Sequence, residues 1–210
     1  MSEPRLLSPF VPWVADEDLV LASRSPRRAE LLRTVGLPFE VHPPGDVEEE
    51  LAGSLSALHA EPAAYAVALA EAKGQSVAAA RPGRLVLAAD TIVLIGGDIL
   101  EKPRDEEDAV RLLGRLSGRE HTVITALTLV GGQAGPDGIS GAEATRVEFL
   151  ALDEASLRRY VATGEPMDKA GAYGIQGFGA MMVRRVNGCY FNVMGLPLAR
   201  LGEMLRGVLK

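Results

Sequence analysis

Short apolar runs alternate with helix-type stretches along the chain, and this alternation is what most limits the possible fold. The apolar runs include DLVLA, RLVLAAD and TIVLI, which are typical of strands buried on both faces. Between the runs lie stretches such as PAAYAVALAEAKGQSVAAA and DEEDAVRLLGRLSG, which carry helix start and stop signals. Gly96-Gly97 and Asn187-Gly188 lie between strand candidates and indicate hairpins. Strands and helices with adjacent hairpins predict an α/β fold with a mixed sheet.

Composition and charge limit the class of protein. The chain has 210 residues, with 28 acidic and 22 basic side chains and a net charge of −6, whereas a general nucleic-acid-binding protein has a basic balance. We therefore expect no nucleic-acid polymer as partner, and a local basic site for any anionic ligand. No apolar run approaches the roughly 18–20 residues of a membrane span, and the single cysteine, Cys189, excludes an internal disulfide. These features predict a cytoplasmic protein that does not bind a membrane.

The first residues of the chain are predicted to form an arm before the domain. MSEPRLLSPFVPWVADED contains prolines and acids and lacks the basic segment and apolar core of a signal peptide. The remainder shows no internal repeat and no linker long enough to divide it. We therefore predict an N-terminal arm over residues 1–18 and a single domain over residues 19–210.

The first predicted helix follows a strand in LASRSPRRAELL. Ser25 is a good N-cap, and Pro26 suits the first helical position. Arg27 and Arg28 nevertheless occupy the first turn, where the helix dipole disfavours cations. Because a helix N-terminus binds anions, the two arginines indicate a phosphate site; the alternative is that both point into solvent. In the first case, Arg28→Ala is expected to leave the stability of the ligand-free protein almost unchanged or slightly raised.

An apolar strand candidate, RLVLAAD, ends at Asp90. Ligands of α/β proteins gather beyond the carboxyl ends of strands, so this carboxylate is placed for metal binding or proton transfer. The alternative is a cap or turn aspartate beside Thr91. The acidic run Glu48, Glu49 and Glu50 lies in a polar stretch. One of these glutamates could share a divalent cation with Asp90, because Mg²⁺ prefers oxygen ligands.

Three lysines complete the set of candidate charged residues. Lys73 lies in an apolar helical stretch, Lys102 in LEKP, and Lys169 beside glycines. Each alone is typical of a protein surface, but together with Arg27 and Arg28 they would form a clamp for a polyphosphate around a metal. The chain lacks the glycine-rich segment of P-loop NTPases and the glycine spacing of dinucleotide-binding folds. Its histidines are scattered, and no Ser-His-Asp set can be assembled.

Several motifs occur in order from Leu19 to the C-terminal helix. They are ASRSPRRAELL, AADTIV, LEKPRDEEDAVRLLGRLSGREHTVITA, EPMDKAGAYGIQGFGA and VNGCYFNVMGLPL. Together they resemble the Maf family of nucleoside triphosphate pyrophosphatases. The resemblance implies an elongated, two-lobed α/β domain with a mixed central sheet, of the inosine-triphosphatase-like type. It also implies hydrolysis of nucleoside triphosphates to monophosphate and pyrophosphate with Mg²⁺ or Mn²⁺, often by a homodimer.

The same resemblance implies roles for individual residues. The catalytic acid-base residue falls on Asp90, and the metal-site glutamate falls on Glu49, so that these two would hold the metal. Phosphate-contacting positions fall on Ser23, Arg28, Lys73 and Lys102. Substrate-selecting positions fall on Arg27, Thr91 and Gln176.

Gln176 decides between two branches of the family. The form YGIQG resembles the branch that acts on dTTP and UTP, whereas the branch that acts on 7-methyl-GTP tends to carry glutamate there. A neutral amide offers a donor and an acceptor to uracil or thymine, and Gly174, Gly177 and Gly179 would let a flat ring approach. We therefore predict a house-cleaning enzyme for dTTP and UTP, with modified pyrimidine nucleotides as further candidates. The alternatives are a 7-methyl-GTP pyrophosphatase and a nucleotide-binding regulator of septum formation with little turnover.

Overall fold

The computed structural model describes residues 9–11, 19–45, 47, 51 and 55–209 of the chain. The strands in these ranges are β1 (Leu19–Ala22), β2 (Glu40–Val41), β3 (Leu85–Ile95), β4 (Asp98–Leu100), β5 (Glu120–Val130), β6 (Ile139–Phe149) and β7 (Val183–Asn187). The α-helices are α1 (Pro26–Thr34), α2 (Pro62–Ala80), α3 (Glu106–Leu116), α4 (Glu154–Val161), α5 (Tyr190–Val193) and α6 (Leu198–Val208). The strands form a sheet in the order β2-β1-β3-β5-β6-β7, with β4 paired to β3.

The sheet combines parallel and antiparallel pairs. β1 is parallel to β2 and to the first part of β3, where Leu19 pairs with Leu85 and Ala22 with Ala88. The last part of β3 is antiparallel to β4, and β6 is antiparallel to β7. Every residue of β1 is buried, as expected for a strand in the parallel part of a sheet. The predicted α/β fold with a mixed sheet is confirmed.

Local sequence signals set the bounds of the longer helices. α2 begins at Pro62, which needs no N–H partner at the first helical position. α3 begins after Asp105, whose carboxylate accepts the backbone N–H of Asp108 at 2.8 Å. Beyond its end, Gly118 takes a φ of +67°, a conformation that glycine adopts readily. Both helices lie where the sequence predicts them.

The chain divides into two compact units. Unit 1 contains Met1–Asp90, Ala126–Ala142 and Gly195–Lys210, and unit 2 contains Thr91–Thr125 and Glu143–Met194. In unit 1, a cluster of small apolar side chains joins α2 to β1, β3 and β5: Val20, Ala22, Val77, Val86, Ala88 and Val130. In unit 2, α3 and α4 bury a larger cluster that includes Leu113, Phe149 and Tyr160. Two units agree with the two lobes that the resemblance implies.

Asp90 does not lie at the end of a strand, so that prediction is wrong. RLVLAAD and TIVLI belong to one continuous strand, β3, in which Asp90 is followed by five further residues up to Ile95. β3 continues because it changes partner, from β1 over Leu85 to Ala88 to the antiparallel β4 beyond Gly96-Gly97. Asp90 therefore lies just past the end of the parallel partner, and the predicted hairpin at Gly96-Gly97 is confirmed.

The predicted hairpin at Asn187-Gly188 is wrong. β7 ends at Asn187, and the chain then enters the short helix α5 instead of a second strand. Asn192 in this helix is completely buried. Its side chain makes hydrogen bonds to β5 and β6, which a strand following Gly188 would not provide.

Candidate active site

Ser23 and Arg28 are joined at the start of α1. The hydroxyl oxygen of Ser23 accepts the backbone N–H of Ser25 at 3.1 Å and Nη1 of Arg28 at 3.1 Å. Nε of Arg28 donates to the carbonyl of Gly195 at 2.8 Å. Arg28 is therefore held against the protein and does not point freely into solvent. Arg27, the next residue toward the helix start, is half-buried.

The hydroxyl of Ser23 can still donate a hydrogen bond. A serine hydroxyl has one proton and two acceptor positions, and both acceptor positions are occupied by Ser25 and Arg28. Ser23 is 4% exposed, and no group among the described residues accepts its proton. A hydroxyl in this state suits an anion such as a phosphate oxygen. The phosphate contact that the resemblance implies for Ser23 stays a prediction.

Lys73 and Asp90 form a buried ion pair. Nζ of Lys73, on α2, lies 2.5 Å from Oδ1 of Asp90, on β3, and their side chains are 7% and 10% exposed. The helix approaches the sheet closely because Gly74 has no side chain. A Cβ at Gly74 would lie 3.1 Å from Cγ1 of Val130 and 3.4 Å from Cβ of Ala88. The glycine beside Lys73 therefore helps to bring the ammonium group to Asp90.

The ion pair uses only one oxygen of the Asp90 carboxylate. Oδ1 receives the ammonium group of Lys73, while Oδ2 accepts no hydrogen bond from any residue that the structure describes. One oxygen is thus fixed in position, and the other can accept a proton or bind a cation. A carboxylate held in this way can act as a general base toward water.

Thr91, the residue after Asp90, belongs to a hydrogen-bonded chain in unit 2. Its hydroxyl lies 2.9 Å from that of Thr125, which donates to the backbone carbonyl of Asn192 at 2.9 Å. Because Thr125 has a single hydroxyl proton, Thr91 must be the donor in their shared bond. Toward any further group, the Thr91 oxygen can therefore act only as an acceptor.

The side chain of Asn192 also supports this chain of hydrogen bonds. Its Oδ1 accepts the backbone N–H of Thr125 at 3.0 Å. Its Nδ2 donates to the carbonyl of Val123 at 3.0 Å and to the hydroxyl of Thr145 at 2.9 Å. The partners lie up to 69 residues away in sequence, so no local pattern identifies Asn192 as a support for Thr91.

Gln176 lies at the start of a 3₁₀ helix, Gly177–Met182. The residue is half-buried, and Oε1 of its amide is buried without a hydrogen-bond partner among the described residues. Buried amide oxygens are rarely unpaired in native proteins. An unpaired acceptor at this position is consistent with a residue that binds a ligand.

Two tyrosines and a histidine of unit 2 are buried. The hydroxyl oxygen of Tyr173 lies 2.8 Å from Nε2 of His121. The rings of both residues meet the ring of Phe149 edge-on. Burial lowers the pKa of His121 to about 4 and raises the pKa of Tyr173 and of Tyr160. His121 is therefore neutral at physiological pH, and both tyrosines keep their hydroxyl protons.

The remaining predicted site residues are Lys102 and Glu49. Lys102 is exposed just after β4, in unit 2. Glu49, like Glu48 and Glu50, lies outside the described residues, so its predicted metal contact stays a prediction. Within residues 19–45 and 55–209, no three His, Cys, Asp or Glu side chains are grouped so that they could hold a metal ion.

Comparisons with known proteins cover most of the chain. The profile of the family described as "Maf-like protein" matches residues 18–208. The dTTP/UTP pyrophosphatase of Symbiobacterium thermophilum is 48% identical over 90% of this chain and 93% of its own. That of Moorella thermoacetica is 49% identical over 89% of this chain and 93% of its own. Among solved structures, the Ham1 protein of Staphylococcus aureus aligns with a TM-score of 0.48 at 14% identity, covering 91% of this chain and 98% of that one.

Proposed function

Because the chain belongs to the Maf family, we propose that it is a nucleoside triphosphate pyrophosphatase that acts on dTTP and UTP. The products are the nucleoside monophosphate and pyrophosphate. Relatives at 48% and 49% identity that are dTTP/UTP pyrophosphatases support this substrate choice. The observation that carries the proposal is the Asp90 carboxylate, with one oxygen held by Lys73 and the other without a hydrogen bond from any described residue.

Asp90 acts as the general base. Its Oδ2 takes a proton from a water molecule, whose oxygen attacks phosphorus as the bridging bond between the α and β phosphates breaks. The departing pyrophosphate gains negative charge, which cationic groups stabilise. Ser23 and Arg28, already joined at the start of α1, contact phosphate oxygens. Lys73 and Lys102 are the further phosphate contacts that family membership supports.

A divalent metal fits the chemistry of this site. Carboxylate oxygens are the preferred ligands of Mg²⁺ and Mn²⁺, and Oδ2 of Asp90 has no hydrogen-bond donor among the described residues. Asp90 and Glu49 would hold the ion. When bound, it neutralises charge on the triphosphate and polarises the attacked phosphorus.

The base is selected by Arg27, Thr91 and Gln176. The Thr91 oxygen acts as an acceptor, and the Gln176 amide offers donors and an Oε1 that no described residue pairs. Uracil and thymine present a donor at N3 between two carbonyl acceptors, which matches this set. A 7-methyl-guanine base would favour glutamate at position 176, so the alternative branch is less well supported.

The protein is further proposed to work in the cytoplasm, as a homodimer that acts on free nucleotides. A net charge of −6 disfavours nucleic-acid polymers, and a single cysteine suits a reducing compartment. Family membership supports the dimer, which light scattering after size-exclusion chromatography would test. In the part of the chain that the structure describes, no helix has the length and apolar character needed to cross a bilayer.

A nucleotide panel tests the proposed function. Purified protein is incubated with UTP, dTTP, CTP, GTP and 7-methyl-GTP, with Mg²⁺ or with a chelator, and the release of pyrophosphate and monophosphate is measured. We expect the highest kcat/KM for UTP and dTTP and loss of activity with the chelator. A preference for 7-methyl-GTP would contradict the branch assignment. Tight nucleotide binding without turnover would instead favour the regulatory alternative.

A further inference from the structure

The loop that carries Gln176 wraps around the carboxylate of Glu165. Oε2 of Glu165 accepts the backbone N–H of Phe178 at 3.0 Å, and Oε1 accepts that of Gly179 at 3.2 Å. Oε1 also accepts the hydroxyl of Tyr160 at 2.8 Å. We propose that Glu165 is a positioning residue for base selection, because it fixes the loop that presents Gln176. This inference rests on the proposed base-selecting role of Gln176.

Glu165 takes over a task that an N-cap residue ordinarily performs. Gln176 occupies the N-cap position of the 3₁₀ helix, but its side chain makes no cap hydrogen bond. An N-cap side chain accepts the N–H of the second or third helical residue, which here are Phe178 and Gly179. Because Glu165 accepts both, the Gln176 amide is released from the cap. Its Oε1, buried and without a partner among the described residues, is then available to a donor of the substrate.

The glycines of the loop make room for Glu165 and not for a base. A Cβ at Gly177, where φ is +78°, would lie 2.5 Å from Oε2 of Glu165. A Cβ at Gly174 would lie 2.9 Å from Cε of Lys169, whose ammonium group donates to the carbonyl of Glu165 at 2.5 Å. The loop is therefore shaped around Glu165, and the approach of a flat ring does not explain Gly174 or Gly177.

Tyr160 also holds the carboxylate of Glu165 in place. Its hydroxyl donates to Oε1 of Glu165 and accepts the backbone N–H of Gly174 at 3.1 Å. Burial raises the pKa of Tyr160, so the hydroxyl keeps its proton and remains a donor at neutral pH. The contacts thus connect both ends of the loop, at Gly174 and Gly179, to one side-chain pair.

The test compares wild type, Glu165→Gln, Gln176→Ala and the double variant. The substituted amide keeps the shape of the side chain but has a single acceptor oxygen, so one loop N–H loses its partner. We expect kcat/KM for UTP to fall roughly 10- to 100-fold in Glu165→Gln, mostly through KM, as for a displaced binding group. The preference for UTP over GTP should narrow by a similar factor. Glu154→Gln, an exposed change on α4 in the pair with Arg158, serves as the matched control and should behave like wild type.

The double variant separates positioning from general support of the fold. If Glu165 acts through Gln176, adding Glu165→Gln to Gln176→Ala should change kcat/KM by no more than about twofold. An equal loss in both backgrounds would overturn the inference, as would wild-type selectivity in Glu165→Gln. If Glu165→Gln does not unfold cooperatively, Tyr160→Phe in the same two backgrounds tests the same contact.

Failure of the proposed function has a different signature. If wild type binds UTP but does not hydrolyse it, the hydrolytic function is refuted. UTP affinities of the same four proteins, measured by calorimetry, then decide the role of Glu165 by the same comparison. If wild type does not bind UTP at all, the proposed function and the inference are both refuted.

Discussion

Replacing Asp90 by Asn removes one negative charge while keeping the shape of the side chain. The amide cannot take a proton from water, so we expect turnover of UTP to fall at least about 100-fold, the scale of a positioned general base. Pyrophosphate release under saturating UTP measures this loss. Turnover like that of wild type would refute the assignment of Asp90 as the base.

The same substitution is expected to lower stability because the ion pair is buried. The side chains of Lys73 and Asp90 are only 7% and 10% exposed, and removing one partner of a buried pair costs roughly 3–5 kcal/mol. A change of about 1 kcal/mol shifts Tm by roughly 2–4 °C for a chain of this size. We therefore expect Asp90→Asn to lower Tm by roughly 6–20 °C. Kinetics must accordingly be measured well below the lowest Tm of the series.

Lys73→Met provides the matched variant, since it breaks the same pair from the other side. Removing both charges together is often far less costly than removing one. We therefore expect the double variant Lys73→Met/Asp90→Asn to be more stable than the sum of the single changes indicates, while turnover stays lost. Additive losses in Tm would show that the two groups do not depend on each other, and would refute the reasoning from the buried pair.

Three further predictions concern other parts of the site. Arg28→Ala loses the hydrogen bonds to Gly195 and Ser23, so the free energy of unfolding should fall by about 1–3 kcal/mol. Calorimetry should also show weaker UTP binding. An unchanged Tm would contradict the expected loss of stability. Gln176→Glu should narrow the preference for UTP over 7-methyl-GTP in kcat/KM by about 1–3 kcal/mol, and an unchanged ratio would count against a base contact. Burial holds the pKa of His121 in the folded protein at about 4, below its ordinary 6.5. As the pH falls, the histidine is therefore protonated in the unfolded chain before it is protonated in the folded protein. The free energy of unfolding should accordingly fall as the pH drops from about 6.5 to about 4. Urea midpoints across this pH range should show a smaller fall in His121→Leu than in wild type.

The helices and strands that the sequence predicted well are those with local signals. α2 runs over the predicted stretch because Pro62 and the Arg81-Pro82-Gly83 segment mark its ends. α3 carries its own cap at Asp105 and an acidic first turn. Such signals act within a few residues, so they can be read without knowing the fold.

The two errors in the predicted fold have different causes. β3 continues past Asp90 because β4 replaces β1 as its partner, which no pattern within the strand reveals. The chain after Asn187 turns into α5, where Asn192 meets backbone groups of β5 that lie up to 69 residues away. After Asn187, contacts distant in sequence outweighed the local preference, whereas past Asp90 the partner that prolongs β3 is β4, the next strand along the chain.

The candidate site was predictable by residue type but not by how its residues are held. Charged side chains such as Lys73 and Asp90 stand out in apolar stretches, whereas their supports are ordinary residues. The Gly195 carbonyl is an example, because every residue has such a group and its position depends on the fold.

The Gly195 carbonyl also explains why Arg28 is tolerated in the first turn of a helix. Its guanidinium donates to this carbonyl, 167 residues away, so a negative dipole offsets the repulsion from the helix N-terminus. The arginine is thus stabilised without a ligand, and for this reason Arg28→Ala is expected to lower stability and not to leave it unchanged.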